Sequence, residues 1–223
     1  MVIYNLEHLT QKDNQIVFGP IQDDEALFLY SIIRGCRLER ILEIGGLNGY
    51  SAKNFLQGLS YNKNGVLYTC DLNPVPVLAE NHKVIVKNAL DLTIDELDNK
   101  PLDLVFFDCH DMVQMDIYYK FVDNKIINDN TILALHDTNL HYPPYHSGGI
   151  YIKEENGFSY QCDGIYIKEE NGYSHQPVER NMVNIFKSLG YDIFSISTDD
   201  TKHNPDFPFR HGITVCKKFK ILL

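Results

Sequence analysis

Short apolar runs of strand length alternate along this chain with stretches of helical spacing, and that alternation leaves few folds open. Ile41 to Gly45 (ILEIG), Val66 to Asp71 (VLYTCD), Lys83 to Lys87 (KVIVK), Leu102 to Asp108 (LDLVFFD) and Thr131 to His136 (TILALH) read as five strands. Tyr191 to Ser197 and Gly212 to Cys216 read as two more. Between the runs, Asp23 to Arg34 carries Ala26, Leu27, Leu29, Tyr30 and Ile33 at helical spacing. Ser51 to Leu59 (with Ser51 placed to cap), Met115 to Ile127, and Val178 to Leu189 before the stop at Gly190 complete the helices. Strands separated by helices build a parallel sheet, because a parallel neighbour is reached only by a crossover. The expected fold is a doubly wound, mostly parallel, seven-stranded Rossmann-like α/β sheet with helices on both faces. Residues 1–223 read as one domain with a helical lead-in over 1–40. Ligands in such sheets bind beyond the carboxyl ends of the strands. The polar residues that end these runs therefore stand where chemistry would occur.

One segment breaks the rhythm. Gly149 to Asp163 (GIYIKEENGFSYQCD) is followed at once by Gly164 to Val178 (GIYIKEENGYSHQPV), a 15-residue tandem repeat. Each copy alternates around Ile-Tyr-Ile and then carries Asn-Gly, a hairpin signal. The reading is a β-hairpin insertion after strand five, within an inserted loop over 141–177. A duplicated surface loop is the plainer alternative.

The bulk numbers exclude several function classes. The formal net charge is -10 and the sequence pI is about 5.3, which disfavours a nucleic-acid partner. Cys36, Cys70, Cys109, Cys162 and Cys216 are odd in number and form no CxxC pair, against a disulfide framework or a thiolate zinc site. No stretch approaches the roughly 20 apolar residues of a membrane span. Met1 to Asn14 lacks the pattern of a signal peptide, so a cytoplasmic protein without a membrane partner is expected.

The strongest chemical signal is Glu43-Ile44-Gly45-Gly46-Leu47-Asn48-Gly49, set between a strand and a helix. Glycines in such a turn let the backbone approach a ligand, and the following helix N-terminus offers free N–H groups. The next strand ends in Asp71, whose carboxylate can accept both hydroxyls of a ribose. The glycine spacing is not that of a dinucleotide fingerprint, so a nicotinamide dehydrogenase is disfavoured. The pattern resembles motif I of the class I S-adenosylmethionine (AdoMet) dependent methyltransferases, and the resemblance runs from about Gly19 to Cys216. It implies that Gly45 and Gly49 line the methionine end of AdoMet, with Glu43 nearby. It further implies that Asp71 holds the ribose, that Asn88 and Ala89 lie by the adenine, and that Asp108 borders the transfer site.

Two clusters end adjacent strands, Asp108-Cys109-His110-Asp111 and His136-Asp137-Thr138-Asn139. Asp108 and Asp137 could share a divalent cation, which would acidify a bound hydroxyl. His110 could take the proton. The pattern is similar to the metal-dependent small-molecule O-methyltransferases, particularly those acting on sugar hydroxyls. The resemblance implies Asp108, His136 and Asp137 as metal ligands, Asp108, His110 and His136 as catalytic groups, and Mg²⁺ or Mn²⁺ as the ion. His136 departs from the acid usual at its position, and a mixed set would also suit Fe²⁺ or Zn²⁺. The aromatic loop around Tyr142, Tyr145, Tyr151, Phe158 and Tyr160 reads as a lid over a sugar or aryl ring, or as a homodimer patch.

The leading expectation is an AdoMet-dependent O-methyltransferase acting on a hydroxyl of a sugar or phenol-like small molecule, with or without metal assistance. Two alternatives stand beside it. One is a catalytically silent AdoMet- or nucleotide-binding scaffold. The other is a metal-dependent hydroxylase or hydrolase built on Asp108, His110 and His136.

Overall fold

The computed structural model describes residues 21, 23–62, 65–109, 113–138, 164–169, 172–196 and 212–218. Among the described residues there are four α-helices: α1 (Asp23–Gly35), α2 (Tyr50–Asn62), α3 (Gln114–Asp123) and α4 (Val178–Ser188). The strands of the main sheet are β1 (Arg40–Ile44), β2 (Val66–Asp71), β3 (His82–Val86), β4 (Leu104–Phe107), β5 (Ile132–Leu135), β8 (Asp192–Ile196) and β9 (Ile213–Lys217). A separate hairpin pairs β6 (Gly164–Glu169) with β7 (Gly172–Pro177).

Period-two alternation within the strands divides the core into two layers. Ile41, Leu104, Phe106, Ile132 and Ala134 face one side, where they meet Ala26, Leu29 and Ile33 of α1 and Ala52, Phe55 and Leu59 of α2. Leu42, Ile44, Val105, Phe107, Leu133 and Leu135 face the other, against Ile117 and Phe121 of α3 and Met182 and Phe186 of α4. All four residues of β4 are buried, as a central strand covered on both faces requires. Phe55 and Phe106 meet edge-on with centroids 5.3 Å apart, and burying each ring contributes roughly 1.5–3 kcal/mol.

The strand order is β3-β2-β1-β4-β5-β9-β8. The first five strands run parallel, while β9 is antiparallel to both β5 and β8. The sheet is thus mixed rather than purely parallel. The residues between β8 and β9, 197–211, carry Pro205 and Pro208 and no helical spacing in the sequence, and antiparallel neighbours need no crossover helix. The expected third helix also ends early. Asn124 caps it and Lys125 takes a positive φ of 59°. Ile126 and Ile127 supply apolar spacing from the loop instead, buried beside Phe121, whose carbonyl accepts from both of their N–H groups.

Of the tandem repeat, the second copy falls on β6 and β7, where the ladder closes at Glu169 opposite Gly172. The first copy lies outside the described residues. Among the described residues, no helix is long and apolar enough to cross a membrane.

Candidate active site

The strand order reverses direction between β1 and β4, and in open α/β sheets that reversal opens a crevice at the carboxyl ends of the strands. Register places the ends together. Ile44 pairs with Cys70 and with Phe107, and Phe107 pairs with Leu135. The residues that follow, Gly45, Asp71, Asp108 and His136, therefore share one rim. Backbone bonds continue past the strand ends: Gly45 N–H donates to Cys70 O (3.0 Å), Asp108 N–H to Ile44 O (2.9 Å), and His136 N–H to Phe107 O (3.1 Å).

The glycine turn is tied to its neighbours more closely than its sequence suggests. Gly45 has φ +90°, and a Cβ there would stand 2.3 Å from the Asp108 carbonyl oxygen. A Cβ at Gly46 would meet Thr69 Cγ2 at 2.4 Å, and one at Gly49 (φ +77°) would meet Leu78 Cδ1 at 3.1 Å. These glycines first allow the turn to lie against adjacent strand ends, and only then against any ligand. Leu47, which sequence reading passed over, holds φ +39° and is largely exposed. Ser51 does not cap α2. It is the second residue of that helix, and its hydroxyl donates to Glu43.

Asp71 closes the turn. Its Oδ2 accepts from the N–H groups of Gly46 (2.8 Å) and Leu47 (3.3 Å), and its Oδ1 accepts from Asn73 N–H (2.8 Å). A carboxylate offers about four lone-pair positions, so capacity remains for a ligand hydroxyl. Asn88 spends its side-chain oxygen on Leu90 N–H (3.0 Å), capping the short 3₁₀ turn Ala89–Asp91. Asn88 itself is exposed and Ala89 is buried.

Glu43 is fully buried, not a solvated strand-end carboxylate. Its oxygens accept from Ser51 Oγ and from Thr69 Oγ1 (2.7 Å). Desolvation raises its pKa to about 7, against the lowering effect of the Ser51 and Thr69 bonds and with the charges of Asp108 and Asp71 adding to the rise. Thr69 Oγ1 also lies 2.9 Å from His82 Nε2, and His82 Nδ1 accepts from Leu78 N–H (3.2 Å). That acceptor role puts the ring proton on Nε2, which donates to Thr69. Burial lowers the His82 pKa and favours this neutral form.

At the other end of the rim, three carboxylates converge on one imidazole. His136 is completely buried. Its Nδ1 lies 2.9 Å from Asp108 Oδ1 and 3.5 Å from Asp137 Oδ1, and its Nε2 lies 3.3 Å from Glu25 Oε2. Burial alone would lower the His136 pKa. The charges of Asp137 and Asp108, with the bonds to Asp108 and Glu25, outweigh it and hold the pKa well above the ordinary value. Asp137 carries a positive φ of 56°, a conformation that costs a non-glycine residue on the order of 1–3 kcal/mol. Asp108 keeps 13% of its side chain exposed at the rim. Cys109 packs against the α3–α4 side of the core.

Sequence reading missed Glu25. It sits one residue before Ala26 and four before Leu29, on the stripe of α1 that faces the sheet, and a carboxylate on such a stripe signals a buried partner. A second buried pair was also missed: Gln114 Nε2 of α3 donates to Glu179 Oε1 of α4 at 2.6 Å. His110, Asp111 and Asn139 lie outside the described residues, as does the aromatic loop from Tyr142 to Tyr160.

The expected metal ligands Asp108, His136 and Asp137 lie together at the rim. Among the described residues, no group of three or more His, Cys, Asp and Glu side chains is arranged to hold an ion. Both ring nitrogens of His136 face carboxylate oxygens, so neither is presented as a bare donor.

Residues 42–138 match a family model described as a methyltransferase domain. No curated protein matches the chain. Among solved structures, Rv0187 from MTB, solved with its cofactor bound, is 18% identical over 92% of this chain and 84% of its own, with a TM-score of 0.61. The SAH-bound methyltransferase PaMTH1 from Podospora anserina is 15% identical over 91% and 81%, with a TM-score of 0.55. The O-methyltransferase TomG from Streptomyces achromogenes, solved in complex with SAM, is 16% identical over 91% and 82%, with a TM-score of 0.54. At these identities the likeness is one of fold. The chain thus shares its α/β fold with these methyltransferases, and residues 42–138, from β1 to the end of the β5 segment, are similar to the methyltransferase domain model.

Proposed function

We propose that the protein is an AdoMet-dependent O-methyltransferase that transfers a methyl group to a hydroxyl of a sugar or phenol-like small molecule. The observation that carries this reading is the contact between the Asp71 carboxylate and the Gly46 and Leu47 N–H groups at the switch-point crevice. It sets a ribose acceptor, a glycine turn and the Asp108 rim side by side. The SAM and SAH bound to TomG and PaMTH1 support the choice of cofactor, and the net charge of -10 supports a small acceptor over a nucleic acid.

In this reading AdoMet supplies an electrophilic methyl on its sulfonium, which the acceptor oxygen displaces to leave S-adenosylhomocysteine. Gly45 and Gly49 line the methionine end, with Glu43 beneath them as support. Asp71 accepts from the ribose, and Asn88 and Ala89 border the adenine. Asp108 orients the acceptor hydroxyl and His110 removes its proton.

Calorimetric titration tests this directly. The protein is expected to bind AdoMet saturably at one site, and Asp71→Ala to weaken binding by about tenfold to a hundredfold, the loss of one or two hydrogen bonds to a charged acceptor. Absence of saturable binding to the native protein would remove the methyltransferase reading. Native-like binding by Asp71→Ala would move the cofactor elsewhere. Methyl transfer itself is read as S-adenosylhomocysteine released with a panel of phenols and sugars.

A further inference from the structure

We infer, resting on the AdoMet reading above, that His82 is a positioning residue: it holds the loop between β2 and β3 against the glycine turn of the cofactor cleft. The loop, residues 72–81, leans on that turn at two points. Val75 Cγ1 and Cγ2 lie 3.1 Å from where a Gly46 Cβ would stand, and Leu78 Cδ1 lies 3.1 Å from where a Gly49 Cβ would stand. Asn73 N–H ties the near end of the loop to Asp71 Oδ1 (2.8 Å). At the far end, Leu78 N–H donates to His82 Nδ1 (3.2 Å) and His82 N–H donates to Ala79 O (3.1 Å). Pro74 and Pro76 carry no N–H, so the loop has few donors with which to anchor itself.

The bond to Leu78 depends on groups deeper in the fold. A backbone N–H only donates, so His82 Nδ1 must be bare and the ring proton must sit on Nε2. Nε2 then donates to Thr69 Oγ1 (2.9 Å). Thr69 directs its own hydroxyl proton to Glu43 Oε2 (2.7 Å). Every donor in the chain therefore points inward, from the loop through β3 and β2 to the carboxylate on β1. His82, Thr69 and Glu43 are all buried, so bulk water does not replace a missing link. Glu43 also accepts from Ser51 of α2, the helix that follows the glycine turn. One buried carboxylate thus fixes both the helix beyond the turn and the loop beside it, and His82 is the link that reaches the loop. Its effect is felt through Leu78, which is 43% exposed and so stands at the surface of the cleft.

Two substitutions of His82 separate this role from simple packing. An asparagine oxygen can stand where Nδ1 stands, keeping the acceptor for Leu78 and losing the donor to Thr69. A glutamine nitrogen can stand where Nε2 stands, keeping the donor and losing the acceptor. Calorimetric titration with AdoMet reads affinity, and thermal denaturation without AdoMet reads stability. His82→Asn is expected to bind AdoMet within about twofold of the native protein, and His82→Gln about tenfold more weakly, the effect of one donor left unpaired. A structural role alone would lower both melting temperatures and leave the two affinities alike. Equal affinities, or the reverse order, would overturn the inference. If either variant does not fold, hydrogen exchange of the Leu78 amide in the native protein decides. Coupling is reciprocal, so saturating AdoMet should slow that exchange about tenfold, and unchanged exchange would overturn the inference. A native protein that binds no AdoMet under any condition removes the proposed function and this role of His82 together. Native binding with equal affinities in the two variants removes the role of His82 alone.

Discussion

A single methyl group added at Gly45 is expected to destabilise the protein by about 2–6 kcal/mol. Two costs add. A Cβ at φ +90° is strained, worth on the order of 1–3 kcal/mol. It would also stand 2.3 Å from the Asp108 carbonyl oxygen and 2.9 Å from its carbon, and backbone atoms cannot rotate away. Overpacking of this kind costs typically 1–3 kcal/mol. Gly190→Ala separates the terms. Gly190 has φ +80° with nothing within 4 Å of the added Cβ, so only the strain of about 1 kcal/mol applies. Chemical denaturation of both variants measures the difference. Equal losses would show that β1 and β4 can part at their carboxyl ends without cost.

Glu43→Gln is expected to change how stability depends on pH, by roughly 3 kcal/mol across the acid-to-neutral range. The folded-state pKa is about 7, against 4.5 for the ordinary group. Between those values the folded protein binds the proton and the unfolded chain does not. Stability from this group is therefore full below pH 4.5 and falls as pH rises to about 7. The shift corresponds to roughly 3 kcal/mol at 1.36 kcal/mol per unit. Glutamine carries no such proton. The free energy of Glu43→Gln relative to the native protein should thus rise in the variant's favour from pH 4.5 to 7.5, against whatever common trend the other carboxylates impose. A flat difference would mean that Glu43 keeps its charge without penalty.

Much of this architecture was legible in the residues. The seven apolar runs became seven strands; the runs of β4 and β5 are buried on both faces, as a covered sheet requires, whereas the edge strands β3 and β8 stay largely open. Asp71 and Asp108 were visible because a carboxylate ending an apolar run marks the rim. What stayed hidden depends on partners far away in sequence. The burial of Glu43 follows from Ser51 and Thr69, which donate to it from α2 and β2. The seat of His136 follows from Glu25, remote from it on α1. A histidine in place of an acid was read as a weaker metal ligand. Its contact with a third carboxylate, Glu25 of α1, could not be read from its neighbours in sequence. The reversal of β9 stayed hidden because the regular alternation before it reads as parallel throughout.

The hairpin β6–β7 makes its hydrogen-bond ladder within itself and contributes no strand to the seven-stranded sheet. A unit of this kind can be copied or lost in the gene without shifting any register elsewhere. The polymer physics is lenient, since closing a longer connection between β5 and α4 costs only a logarithm of its length. Removing Gly149 to Asp163 should therefore change the melting free energy by about half a kcal/mol or less, measurable by denaturation of the shortened chain. The connection between β5 and α4 is thus a place where chain length can change at little cost to the main sheet.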